Sequence, residues 1–120
     1  MDYKEYGIAK RYAEQLTTQM RKGLLSHMVL ILARKPIYTS DIIRQLGESG
    51  MTVVEGTIYP LLSRLQRDGL LTYTWLEDTP NKPPRKYYTI TELGRSISDE
   101  LSKEIRVINK TMRTIGKETK

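Results

Sequence analysis

Apolar positions along the chain fall into segments of two different periods. Tyr6, Ala9, Tyr12, Ala13, Leu16 and Met20 recur at spacings of three and four, which predicts an amphipathic helix over residues 1–20. Leu24, Leu25, Met28, Ile31 and Leu32 form a second helical stripe over 22–33, and Lys35-Pro36 ends it because proline disfavours a helical residue before it. A short helix then starts at Thr39 or Ser40, either of which can cap its free amides. It turns Ile42, Ile43 and Leu46 inward and closes at Gly47, with Gly50 in the turn that follows. Ile58, Leu61, Leu62 and Leu65 share one arc and predict a third core helix over 55–68, with Gly69 as its left-handed terminator.

Beyond Gly69 the texture changes. Residues 71–76 and 86–90 are rich in β-formers, and the stretch between them carries Pro80, Pro83 and Pro84, so the pair reads as a hairpin with a long tip. A last helix starts at the cap Thr91 with Glu92 in its first turn. From Leu101 it shows Leu101, Ile105, Ile108, Met112 and Ile115 at alternating spacings of four and three, a seam that calls for another helix. Residues 116–120 are expected to fray. Two helices joined by a glycine-containing turn and followed by a hairpin make a helix-turn-helix with a wing. The fold class is therefore α+β and mostly helical: an extra N-terminal helix (1–20), a winged helix-turn-helix domain (21–94) and a C-terminal dimerisation helix (95–115).

Composition narrows the chemistry. The chain has 120 residues, enough for one modest core, and burial between subunits would help a domain this small. It has no cysteine and one histidine, His27, so thiolate sites, disulfides and histidine triads are excluded and no cofactor is expected. With no nucleophile–base pair, metal set or phosphate loop, an enzyme is the weakest reading. No apolar run approaches a membrane span and no signal-peptide core opens the chain, so a soluble cytoplasmic protein is expected. The formal net charge is +6, and it is unevenly spread. Residues 21–47 carry Arg21, Lys22, Arg34, Lys35 and Arg44 against Asp41 alone, whereas 1–20 are balanced. That distribution suits a polyanionic partner.

The polar side of the third core helix is the sharpest functional signal. It presents Gly56, Pro60, Ser63 and Arg67, flanked by Thr57, Tyr59 and Arg64, none of which a core needs. A DNA-reading helix needs small residues near its N-terminus for close approach and longer donors beyond them. Gly56, Thr57 and Ser63 provide closeness; Tyr59 and Arg64 provide reach. Pro60 would crowd the carbonyl of Gly56, and glycine there is expected to relieve that congestion. With Tyr38, Thr39 and Ser40 at the entry of the second helix, and with the wing cations Lys82, Arg85 and Lys86, these residues are the candidate DNA-binding set. Basic wings of this kind reach phosphates or a minor groove.

The run Gly56-Thr57-Ile58-Tyr59-Pro60-Leu61-Leu62-Ser63-Arg64-Leu65, followed by Asp68-Gly69-Leu70, resembles the recognition-helix signature of the PadR family of transcriptional regulators. Arg21-Lys22-Gly23-Leu24-Leu25, Pro36-Ile37-Tyr38 and the run from Arg85 to Gly94 extend the resemblance over about 21–94. It departs from the family pattern at Thr39, where glycine is frequent, at Val54, where a capping serine is frequent, and at Pro83-Pro84-Arg85 in the wing. The resemblance implies a homodimer on an inverted-repeat operator in double-stranded DNA, repressing transcription until a small-molecule effector releases it. Some relatives hold flat drugs against a tryptophan of the C-terminal helix; this chain has none there, so that mechanism is not carried over.

Other residues have plainer readings. Trp75 is expected to anchor the core or the hairpin, and one of Tyr87 and Tyr88 to pack on the helices. His27 is expected at the surface or the core edge without a function. Tyr3, Tyr6 and Tyr12 are expected to pack, in preference to lining an effector pocket. The rival from another class is a winged-helix protein that binds a protein partner and lacks specific DNA recognition; the polar face of the third helix and the basic wing weigh against it.

Overall fold

The computed structural model describes residues 1–118. Its elements are α1 (Tyr3–Leu32), β1 (Ile37–Tyr38), α2 (Thr39–Glu48), α3 (Glu55–Arg67), β2 (Leu71–Leu76), β3 (Arg85–Ile90) and α4 (Glu92–Glu118). Asp2 opens α1, accepting from the Glu5 amide at 2.8 Å. The two N-terminal stripes belong to this one helix of 30 residues, because nothing between Met20 and Lys22 breaks the hydrogen-bond ladder. The buried face of its second half is also rotated from the expected stripe. Leu25, Val29, Leu30 and Ala33 are buried, while Leu24 and Ile31 face outward. Apolar residues cover two adjacent faces of this helix, and the position of the sheet and α3 selects one.

Two cap expectations are corrected. Tyr38, paired in β1, is itself the extended N-cap of α2 and supplies no side-chain cap, so the chain passes from strand straight into helix and Thr39 lies inside it, buried. At the other end Gly50, not Gly47, is the terminator. Its φ is +108°, and the Met51 amide reaches back to the Leu46 carbonyl at 2.8 Å. The same device closes α3, with Gly69 at φ +84° and the Leu70 amide on the Leu65 carbonyl at 2.9 Å.

The sheet has the order β1-β3-β2, all antiparallel, with Leu71 opposite Ile90 at its root and Leu76 opposite Arg85 towards its tip. β1 was not legible from periodicity, since a two-residue strand has none. The core lies where α1, α2 and α3 meet the root of the sheet, with Val29, Leu30, Ile42, Ile58 and Leu62 fully buried. The Ile90 amide bonds the Ala33 carbonyl at 2.8 Å and so ties the sheet to the end of α1.

Thr91 fastens α4 to this head. Its hydroxyl donates to the Gly69 carbonyl at 2.6 Å and accepts from the Gly94 amide at 3.0 Å. α4 then crosses α1, where His27 is buried with Nδ1 3.3 Å from the Ser98 hydroxyl and Nε2 3.3 Å from that of Ser102. Of the two places expected for His27, the core edge is the one found. α4 continues to Glu118, with Lys117 favourably placed in its last turn; Thr119 and Lys120, the end of the tail expected to fray, lie outside the described residues. Among the described residues no helix is long and apolar enough to cross a membrane.

Candidate nucleic-acid interface

α3 is held by one face. Ile58, Leu61, Leu62 and Leu65 enter the core, which leaves Gly56, Thr57, Tyr59, Pro60, Ser63, Arg64 and Arg67 exposed on the opposite side. The helix continues through Pro60. A Cβ added at Gly56 would meet nothing within 4 Å, so the expected relief of crowding around Pro60 is not what calls for glycine there. No neighbour within the fold occupies the space beside it. Arg67 is the least available of the outward cations, with Nε 3.9 Å from an Asp68 carboxylate oxygen, although so exposed a pair is weak.

The entry of α2, Tyr59 of α3 and the wing strands enclose an open cleft of about 460 Å³. Six expected residues meet there: Tyr38, Thr39, Ser40, Tyr59, Arg85 and Lys86. Tyr38 packs edge-on against Tyr87 at 5.4 Å, and the Arg85 guanidinium lies 4.6 Å from the Tyr38 ring centre. Lys86 Nζ sits 4.1 Å from the Tyr73 ring and 5.2 Å from that of Tyr88. Aromatic faces thus orient both cations without neutralising them. Tyr87 donates its hydroxyl to Asp78 and steadies the base of the wing tip.

Two expected residues lie elsewhere. Thr57 lines a separate hollow of about 340 Å³ with Arg21, Lys22 and Val54, between α1 and the start of α3. Lys82 is exposed in the wing tip, where Asn81 takes a left-handed φ of 69°. Arg44, basic on paper, is already engaged: it pairs with Asp41 and donates to Glu48 at 3.0 Å, and these hydrogen bonds, that to Asp41 above all, raise its pKa.

Trp75 is 62% exposed and lines the cleft, so of the two anchoring places expected for it the core is corrected, while on the hairpin its ring meets that of Tyr73. β2 runs past the core before it reaches residue 75, and no buried surface is left to receive the indole. The signal available was the alternation Leu71, Tyr73, Trp75, which puts all three on the face that the core begins.

The residues proposed for a seam present a graded face. Leu101 and Ile105 are half-buried, whereas Ile108, Met112 and Ile115 are 48%, 58% and 55% exposed. Tyr6, Tyr12, Leu16 and Met20 of α1 are likewise exposed, so the packing expected for that stripe is not made within the chain.

The profile of the transcriptional regulator PadR-like family matches residues 28–100. A PadR-like transcription factor from Bacteroides fragilis is 46% identical, with 84% of this chain and 98% of that one covered at a TM-score of 0.72. A PadR family transcriptional regulator from Eggerthella lenta is 28% identical over 90% and 95% of the two chains at 0.78, and a PadR-like transcriptional regulator from Bacillus cereus 32% identical over 81% and 95% at 0.72. Among curated proteins none matches the chain significantly.

Proposed function

The chain belongs to the PadR-like family of transcriptional regulators, and from that premise we propose that it is a repressor that binds an inverted-repeat operator as a homodimer. α3 enters the major groove, with Tyr59 and Arg64 on base edges and Ser63 and Gly56 allowing close approach. Arg85, Lys86 and Lys82 hold phosphates from the wing, and Ser40 does so from the entry of α2. The observation that carries this reading is the cleft itself. Tyr59, from the side of α3 that the core does not use, lines it together with two aromatic-oriented cations, and no carboxylate is among the described residues that line it.

Within this reading, residues 21–94 are the DNA head, 95–115 carry the dimer seam and 1–20 clasp the partner. The dimensions of the single chain support a partner. Its radius of gyration is 18.2 Å, against about 14 Å for a compact chain of this length. Its accessible surface is 9124 Å², against about 6,700 Å² for a folded monomer of 13.9 kDa. Both excesses come from the outer halves of two long helices with exposed apolar faces. Release by a small-molecule effector belongs to the same proposal. An open, largely apolar hollow of about 350 Å³ between α1 and α2, lined by Met28, Leu32, Leu46 and Met51, is its candidate site.

Selection of duplexes from random DNA by the intact protein tests the core of the proposal. Two identical heads related by a two-fold axis should enrich an inverted repeat with half-sites about 34 Å apart. Enrichment of single, unpaired half-sites would sink the dimeric reading.

A further inference from the structure

Trp75 is the chain's one tryptophan. On β2 the inward face loses cover step by step, from Leu71 at 2% exposed through Tyr73 at 39% to Trp75 at 62%. Across the ladder the partners of these residues are Ile90, Tyr88 and Lys86. One sheet face is therefore core at its root and a wall of the cleft at its tip. Tyr73 meets the indole edge-on, with ring centres 6.4 Å apart and planes at 87°, and so orients it.

Another part of the lining is of another kind. It is the start of α2, where Ser40 is exposed and the N-cap Tyr38 leaves the first amides without a side-chain cap. Lys86 stands directly opposite Trp75 in the ladder, and Tyr59 of α3 also lines the cleft. This lining suits an anion that carries an apolar surface beside its charge. A DNA strand repeats that pairing at every nucleotide, as a phosphate next to a deoxyribose. A strand that edges the groove entered by α3 also has to pass between α3 and the wing.

We propose that Trp75 is a DNA-contacting residue, its indole packing on a deoxyribose of the backbone while Lys86 and the amides at the start of α2 take the neighbouring phosphate. The proposal rests on the reading of α3 as the helix that enters the groove. It assigns to the root of the wing a contact of its own, distinct from the basic tip. Lys86, held between the Tyr73 and Tyr88 rings, supplies the charge at a fixed point, and the indole supplies the surface that excludes water from it.

A single tryptophan makes the test direct, because indole emission reports its surroundings and here has one source. The intact protein is titrated with a duplex that it has itself enriched from a random library, and Trp75 emission is followed beside a mobility-shift measurement of binding. The emission should change in step with binding. Trp75→Ala should bind about tenfold more weakly, a loss of about 1.4 kcal/mol, Trp75→Phe should recover most of it, and Leu76→Ala, on the other face of the same strand, should bind as the parent does. Duplex bound with Trp75 emission and Trp75→Ala affinity both unchanged would leave the DNA reading intact and overturn the contact. Equal losses in Trp75→Ala and Leu76→Ala would overturn it too, as damage to the wing at large. An emission that follows protein concentration and ignores DNA would assign Trp75 to an interface between copies. If the intact chain enriches and binds no duplex at all, the groove-entry reading fails first and the contact with it. Should Trp75→Ala fail to fold, the emission of the unaltered protein decides alone.

Discussion

Gly94 stands in the first turn of α4, buried, where the helix passes directly over the end of the α3–β2 connection. A Cβ there would fall well inside contact distance of the Leu70 carbonyl oxygen and 2.7 Å from Ile90 Cγ1. Its glycine is thus required by close approach, whereas that of Gly69 is required by its left-handed φ and no neighbour occupies the space beside Gly56. Gly94→Ala should push α4 off the head and cost about 1–3 kcal/mol as overpacking. Urea unfolding with an unchanged slope would measure it, and a midpoint equal to the parent's would contradict the packing described. In sequence Gly94 was visible only as part of a family motif. That a carbonyl from residue 70 occupies its missing side-chain volume is a contact between distant segments, which no local pattern encodes.

At the scale of elements, the joint between α1 and α4 holds a buried polar cluster. His27 is held between Ser98 and Ser102, and burial, with the nearby Arg34 charge adding to it, lowers its pKa below the ordinary 6.5. The unfolded chain then binds the proton more readily than the folded one. This contribution is therefore complete above about 6.5 and is lost as pH falls through the lower folded value. Stability should drop on acidification across that window, and His27→Gln, which cannot gain the charge, should flatten the dependence. An identical pH profile in the two proteins, followed by denaturant midpoints above and below 6.5, would assign the drop to other groups. The serine partners lie 71 and 75 positions away, so the sequence left His27 with no visible companion. Helix ends are more legible. Gly69 follows from its place after the apolar arc, whereas the start of α2 does not follow from local sequence, because Tyr38 belongs to a strand that exists only by pairing with β3.

For the whole molecule, the two long helices carry more apolar surface than the head can cover. On the dimeric reading α4 meets its copy along Leu101, Ile105, Ile108, Met112 and Ile115. Ile108→Asp would place an unpaired carboxylate in that interface at a cost of roughly 3 kcal/mol or more, enough to dissociate a modest dimer. Operator affinity should then fall steeply with the DNA head untouched, since each head loses the other's phosphate contacts and its effective concentration. Sedimentation of the variant beside a DNA titration checks both halves. A variant that stays dimeric and binds as before would show that the seam packs elsewhere.

The sequence by itself determined the order of helices and hairpin, the inward arc of α3 and hence its outward polar face. Each of these rests on a local period, and a period survives whatever packs against it. Only the tertiary structure decided which of two apolar faces α1 buries, that His27 bridges two serines of α4, that a two-residue strand completes the sheet, and that Trp75 stands open beside Lys86. The physical reason is common to all four: burial and pairing are properties of surfaces brought together from distant parts of the chain. A residue type states what it can contribute to such a surface, but where the surfaces meet is fixed by the volume the core fills and the length at which each strand outruns it.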